Sequence, residues 1–103
     1  MQVALITDLG AITEECARVA ESIGISLTVL PPDSGGWQSA SLILLGEDVR
    51  EAPATDKADK ILVVLDDDEP SSTWARAAHL GVDQLAMLPA AAEWLSGRMI
   101  AAV

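Results

Sequence analysis

Three aspartates, Asp8, Asp48 and Asp66, stand at or just after the ends of apolar runs, where a parallel sheet places reactive groups. The carboxyl ends of parallel strands meet at one edge of the sheet, so these carboxylates are expected at the same edge. Hard cations such as Mg²⁺ prefer clustered carboxylate oxygens. We assign no metal site to the chain, and these three acids are the candidates if a cation binds.

The four consecutive acids at 66–69 are a second feature that could bind Mg²⁺ or Ca²⁺. Consecutive residues rarely converge on one ion, whereas acids placed before a helix stabilise its N-terminus through capping and the helix dipole. We therefore interpret this stretch as a solvated loop that leads into a helix.

Gly46 occupies the position where such a fold would place its reactive group. It directly follows Leu45, the last residue of the most central apolar run, and Glu47 and Asp48 come after it. Asp48 could supply the reactive group that is missing at position 46 only if its side-chain direction and its place in the loop both changed. The absence of a side chain at position 46 favours a binding module over an enzyme.

The composition limits the classes of protein open to this chain. Its 103 residues suffice for one domain with a single core. Sixteen acidic against six basic residues give a net charge of −10, which makes nucleic acid and anionic membranes poor partners. The single Cys16 suits a reducing compartment, and no apolar run approaches the ~20 residues of a membrane span. We expect a soluble, cytoplasmic protein without a cofactor.

Apolar runs rich in β-forming residues predict five strands, and helical periodicity predicts three helices. The predicted strands are Val3–Thr7, Ile25–Leu30, Ser41–Leu45, Ile61–Leu65 and Leu85–Leu88. The predicted helices comprise one with apolar residues from Ile12 to Ile23, one that begins at Pro70, and one over Ala90–Val103. Segments 33–40 and 47–60 predict only weak or frayed helices, because they contain Gly35, Gly36 and Pro53.

This order of elements predicts an α/β fold in which helices cover both faces of a five-stranded parallel sheet. The natural strand order is 2-1-3-4-5, that of a flavodoxin-like three-layer sandwich. The core must be mostly aliphatic, because Phe and Tyr are absent. We interpret Trp74 and Trp94 as large anchors of that core.

The last predicted helix carries more apolar surface than one buried stripe requires. Trp94, Met99, Ile100 and Val103 spread around more than one of its faces. An exposed apolar patch of this kind marks a partner surface. We expect these residues to contact another protein or a second copy of the chain.

The order of the elements and one local segment resemble a response-regulator receiver domain. The segment Gly81–Pro89, GVDQLAMLP, is similar to the family's Gly-Ala-Asp-Asp-Tyr-Leu-x-Lys-Pro around the fifth strand. The resemblance covers the whole chain at the level of element order and implies a CheY-like fold. It also implies that a homodimer could form through the last two helices and the fifth strand.

Carried over position by position, the resemblance implies a degenerate receiver site. Receivers hold Mg²⁺ with two acids after the first strand, where Thr7 and Asp8 stand here. The phosphoacceptor aspartate corresponds to Gly46. The hydroxyl residue that ends the fourth strand corresponds to Asp66, and the lysine before the proline of the fifth corresponds to Leu88. Only Asp8 matches, so the resemblance implies a pseudo-receiver that is not an enzyme.

A closer resemblance is to the N-terminal domain of actinobacterial CpaE-like, septum-site-determining proteins, which are related to TadZ. It is carried by VALITD, LILLGED, the acid-Pro-x-x-x-Trp turn, GVDQLAMLP and the terminal Glu-Trp-Leu. In that family a pseudo-receiver precedes a MinD/ParA-type ATPase and is associated with Tad pilus assembly and septum regulation. The resemblance implies that residues 1–103 are one such domain of a longer protein.

Two functional hypotheses remain open from the sequence. The first is a non-catalytic module that dimerises, docks or localises an attached or partner MinD/ParA-type ATPase. The alternative is a phosphorylatable or Mg²⁺-binding receiver that uses Asp8 and Asp48. A small-ligand binder of the flavodoxin type is less supported, because the chain lacks the Gly-rich phosphate loop that it would need.

Overall fold

The computed structural model describes residues 2–31, 40–49, 59–65, 70–82, 84–88 and 90–102. The elements, in chain order, are β1 (Gln2–Ile6), α1 (Gly10–Ser22), β2 (Leu27–Leu30), β3 (Ala40–Leu45), β4 (Asp59–Leu65), α2 (Pro70–Leu80), β5 (Leu85–Leu88) and α3 (Ala92–Ala102). All five predicted strands and all three predicted helices are therefore confirmed, with strand ends that differ by two residues or fewer. Segments 33–40 and 47–60, where weak helices were expected, lie mostly outside the described residues.

The five strands form one parallel sheet in the order β2-β1-β3-β4-β5. This is the flavodoxin-like order that the sequence predicts. The order places β1, β3 and β4 in the interior of the sheet and leaves β2 and β5 at its edges. The interior strands are almost wholly buried, which explains why β3 and β4 consist of continuous aliphatic runs.

Two apolar clusters hold the layers together, one on each face of the sheet. Helices α1 and α3 cover one face, where Ile12, Cys16, Leu95 and Met99 pack against alternate residues of the strands. Helix α2 packs against the opposite face through Ala77 and Leu80. This alternation follows from strand geometry, since successive side chains point to opposite faces.

The tryptophans do not anchor this core, so that prediction is wrong. Trp74 is 52% exposed and Trp94 is 44% exposed. Small and aliphatic side chains occupy the buried faces of their helices instead, Ala77 on α2 and Leu95 on α3, each 0% exposed. Trp37 lies outside the described residues.

None of the helices that the structure describes is long and apolar enough to cross a membrane.

Cys16 lies fully buried on the inner face of α1. Burial raises the pKa of its thiol from 9.0 to about 12, because the thiolate loses its hydration, and the negative charge of Glu15 adds to the effect. At a given pH below 9, the thiolate fraction of the native protein is therefore about a thousandfold lower than that of the unfolded chain.

We expect the native protein to react far more slowly than the urea-unfolded chain with 5,5′-dithiobis(2-nitrobenzoate) at pH 8. Absorbance at 412 nm follows this thiol reaction, and a Cys16→Ala variant is the blank. Equal rates for the native and the unfolded chain would contradict the buried position of Cys16.

The raised pKa of the native thiol also makes the free energy of unfolding depend on pH. The contribution of Cys16 to stability is full below pH 9 and declines as the pH rises from 9 towards 12, because only the unfolded thiol ionises there.

Candidate functional site

Strands β2, β1 and β3 end side by side at the carboxyl edge of the sheet, and their pairing continues for one residue beyond β1 and β3. The backbone N–H of Thr7 donates to the carbonyl of Leu30 at 2.9 Å, and that of Gly46 donates to the carbonyl of Ile6 at 3.0 Å. The N–H of Val49 then donates to the carbonyl of Gly46 at 3.2 Å, which closes a tight turn after β3. Val49 is buried, so the turn is fixed to the core.

This turn brings the carboxylate of Asp48 onto the end of β1. The Thr7 hydroxyl donates to Asp48 Oδ1 at 2.6 Å, and the backbone N–H of Asp8 donates to Asp48 Oδ2 at 2.7 Å. The same hydroxyl oxygen accepts a hydrogen bond from the N–H of Leu9 at 3.1 Å. Both oxygens of Asp48 are therefore engaged by donors from one short loop, in what we call the Thr7–Asp48 contact.

Glycine is required at position 46 because a larger residue would not fit there. Its backbone conformation is not the reason, since its φ is not positive. A Cβ atom at position 46 would lie 2.3 Å from Thr7 Oγ1, 2.6 Å from Thr7 Cβ and 2.7 Å from Asp48 Oδ1. All three distances are shorter than real Cβ contacts, and two of the three atoms belong to Thr7, which is only 2% exposed. A phosphoacceptor side chain on residue 46 has no room while the Thr7–Asp48 contact exists.

Three further residues correspond to site positions of a receiver: Asp8, Leu88 and Asp66. Asp8 is exposed beside the contact and takes part in it through its backbone. Leu88 is the last residue of β5 and is 0% exposed, so an aliphatic core side chain replaces the lysine of a receiver. Asp66 lies outside the described residues, and the three-acid cation site therefore remains a prediction.

Neither Asp8 nor Asp48 forms an ion pair within the part of the chain that the structure describes. The ion pairs found there join Arg18 to Glu15 on α1 and Arg98 to Asp59 at the start of β4. The described residues also contain no group of three side chains arranged to hold a metal ion. Both carboxylate oxygens of Asp48 are already hydrogen-bonded, whereas the side chain of Asp8 is exposed.

The residues predicted to form an interface do not share one surface. Trp94 and Ile100 are exposed, at 44% and 56%, but they project from different sides of α3. Met99 is 0% exposed and packs in the core between α3 and the sheet, so it cannot contact a partner. Val103 lies outside the described residues.

The receiver resemblance implies that Thr7 replaces a metal-binding acid, and no sequence pattern predicts its role as a hydrogen-bond donor. The informative pattern is a hydroxyl residue directly after the first strand together with an acid two residues beyond a glycine that ends the third. Only the tight turn at 46–49 shows that these two side chains meet.

The parallel 2-1-3-4-5 sheet, with helices on both of its faces, defines a receiver-like α/β domain. The profile of the family described as "Rv3660c-like, CheY-like N-terminal domain" matches residues 5–103. The chain belongs to this family. Searches of curated proteins and of solved structures gave no significant match.

We expect Gly46→Ala to lower the free energy of unfolding by about 1–3 kcal/mol, the usual range for overpacking a tight site. Gly97→Ala is the matched control, because its added Cβ meets no atom within 4 Å on the exposed side of α3. That substitution should raise the free energy of unfolding by about 0.5–1 kcal/mol, since glycine is unfavourable within a helix. Urea unfolding followed by circular dichroism measures both. A Gly46→Ala variant as stable as the parent would contradict the close approach of Thr7.

Proposed function

We propose that this domain is a non-catalytic pseudo-receiver that acts as a protein–protein interaction module. The observation that carries the proposal is the Thr7–Asp48 contact, which leaves no room for a phosphoacceptor side chain on residue 46. A hydrogen-bonded carboxylate that bridges two loops stabilises the edge of the sheet. It is poorly suited to attack phosphorus, since donors from Thr7 and Asp8 already engage both of its oxygens.

The proposal extends to the setting in which the domain works. Membership of a family described as an N-terminal domain is consistent with a longer protein in which further modules follow. We propose that the following module is a MinD/ParA-type ATPase of the CpaE-like, septum-site-determining kind, associated with Tad pilus assembly. In that setting the pseudo-receiver would localise or dimerise the ATPase in the cytoplasm.

Its partner would be another protein or a second copy of the domain, bound through the side formed by α2, β5 and α3. The exposed Trp94 supports this face as an interface, because a half-exposed tryptophan contributes strongly when a partner covers it. Ile100 is a second anchor candidate, on a different side of α3.

The alternative function, a phosphorylatable or Mg²⁺-binding receiver that uses Asp8 and Asp48, predicts a different response to ligands. Beryllofluoride with Mg²⁺ mimics an aspartyl phosphate. If the domain is a pseudo-receiver, the amide resonances of Thr7, Asp8, Gly46 and Asp48 should not shift in a ¹H–¹⁵N spectrum when both are added.

A phosphorylatable receiver measured under the same conditions is the positive control, and Mg²⁺ alone separates cation binding from acyl-phosphate mimicry. Shifts that cluster around Gly46 and disappear in Asp48→Asn would contradict the proposal and favour the alternative.

A further inference from the structure

The edge strand β5 presents backbone groups with which no other strand among the described residues pairs. The N–H of Leu62 on β4 donates to the carbonyl of Gln84 at 3.0 Å, which fixes the phase of the β4–β5 ladder. In a parallel pair alternate residues bond to the neighbour, so Leu85 and Met87 direct their backbone groups away from β4. The carbonyl of Met87 accepts from the N–H of Ala91 at 2.8 Å. The N–H and carbonyl of Leu85 and the N–H of Met87 therefore face outward.

Trp94 lies beside this edge on one face of the sheet. The guanidinium carbon of Arg98 is 6.0 Å from the centroid of the Trp94 ring, and Arg98 also binds Asp59 at the start of β4 at 2.8 Å. The Asp59 pair shows that this side of α3 is turned towards β4. Since β5 lies beyond β4, the exposed part of the Trp94 ring lies towards the open edge.

Trp74 lies beside the same edge on the opposite face. Helix α2 connects β4 to β5, and such parallel crossovers are right-handed. The inner face of α2 is fixed by Ala77 and Leu80, which are buried against the sheet. The turn of a right-handed helix then directs Trp74 to the β5 side of α2. Two exposed tryptophans thus flank one open strand edge.

The charge of the domain indicates what can occupy this edge. The chain carries a net charge of −10, and two of the basic residues that the structure describes, Arg18 and Arg98, are already in ion pairs. A second copy would bring another −10 and would be repelled, whereas a cationic segment would be attracted. Exposed indole faces also attract Lys and Arg side chains, as Arg98 does at Trp94.

We propose that the edge of β5, between Trp74 and Trp94, binds an extended, lysine- or arginine-rich segment of a partner protein as a sixth strand. The outward N–H and carbonyl groups of Leu85 and the N–H of Met87 pair with the backbone of this segment. Its side chains alternate between the two faces of the sheet and contact Trp74 on one face and Trp94 on the other. This inference rests on the proposed interaction role and specifies its face and the chemistry of its partner.

The experiment uses an acetylated, amidated peptide of four Lys-Val repeats as the probe, and one of four Glu-Val repeats as the control. Titration of the domain in 50 mM NaCl, followed by ¹H–¹⁵N spectra and tryptophan fluorescence, should give shifts centred on Leu85 and Met87. The Lys-Val peptide should bind at least tenfold more tightly than the Glu-Val peptide. This difference should shrink in 500 mM NaCl, because salt screens exposed charges.

Leu85→Pro is the sharpest variant, because proline removes an outward N–H without removing a bond to β4. Val29→Pro on β2 is the matched control, since Val29 faces outward at the opposite edge of the sheet. We expect Leu85→Pro to weaken binding at least tenfold and Val29→Pro to leave it unchanged. Trp74→Ala and Trp94→Ala alter only exposed side chains and should each weaken binding several-fold, which keeps the test decisive if a proline variant fails to fold.

Three results of the peptide titrations would overturn the inference. They are the absence of binding at millimolar Lys-Val peptide, equal affinity for both peptides, and shifts that map away from Leu85 and Met87. Self-association that Leu85→Pro abolishes would identify a second copy as the occupant and would also overturn it. Each of these results is independent of the beryllofluoride response, so the proposed pseudo-receiver role could stand while this inference fails.

Discussion

The hydrogen bond from the Thr7 hydroxyl to the Asp48 carboxylate connects the loops that follow the two central strands, β1 and β3. The contact is short, largely shielded from water on the Thr7 side, and accompanied by a second bond from the N–H of Asp8. It can form only because residue 46 is glycine, since any Cβ there would overlap Thr7. The glycine at position 46 therefore allows the Thr7–Asp48 contact at the carboxyl edge of the sheet. The same contact leaves no space for a phosphoacceptor side chain on residue 46.

The rest of the fold consists of a buried aliphatic interior and a perimeter that carries exposed aromatic side chains. Aliphatic strands and small helical residues fill the two core clusters, which leaves both described tryptophans at the surface. The carboxyl edge, where this class of fold usually performs chemistry, is occupied by the contact of the protein with itself. We propose that recognition takes place at the perimeter instead, at the strand edge of β5 between Trp74 and Trp94, where the negative charge of the domain would favour cationic partners.

The architecture could be predicted from the sequence because it depends on local patterns. Continuous aliphatic runs identify buried parallel strands, and helical periodicity identifies the layers between them. The exposure of Trp74 and Trp94 could not be predicted in this way, since periodicity places a residue on a helix face but does not say which faces the sheet covers. The Thr7–Asp48 contact joins residues 41 positions apart through a turn whose geometry no local pattern specifies. The sequence shows that position 46 lacks a side chain. That Thr7 and Asp48 occupy the space of such a side chain could be seen only in the structure.

A double-mutant cycle on Thr7→Val and Asp48→Ala tests the central claim most directly. Valine keeps the shape of threonine and removes its hydroxyl, and the cycle separates the bond to Asp48 from the bond that the hydroxyl accepts from the N–H of Leu9. If the two side chains hold the edge of the sheet together, their coupling energy in urea unfolding should be about 1–3 kcal/mol, and Asp48→Asn should retain part of it. Effects that add to within about 0.5 kcal/mol would show that the contact does not stabilise the fold. The claim that this contact holds the carboxyl edge of the sheet together would then be contradicted.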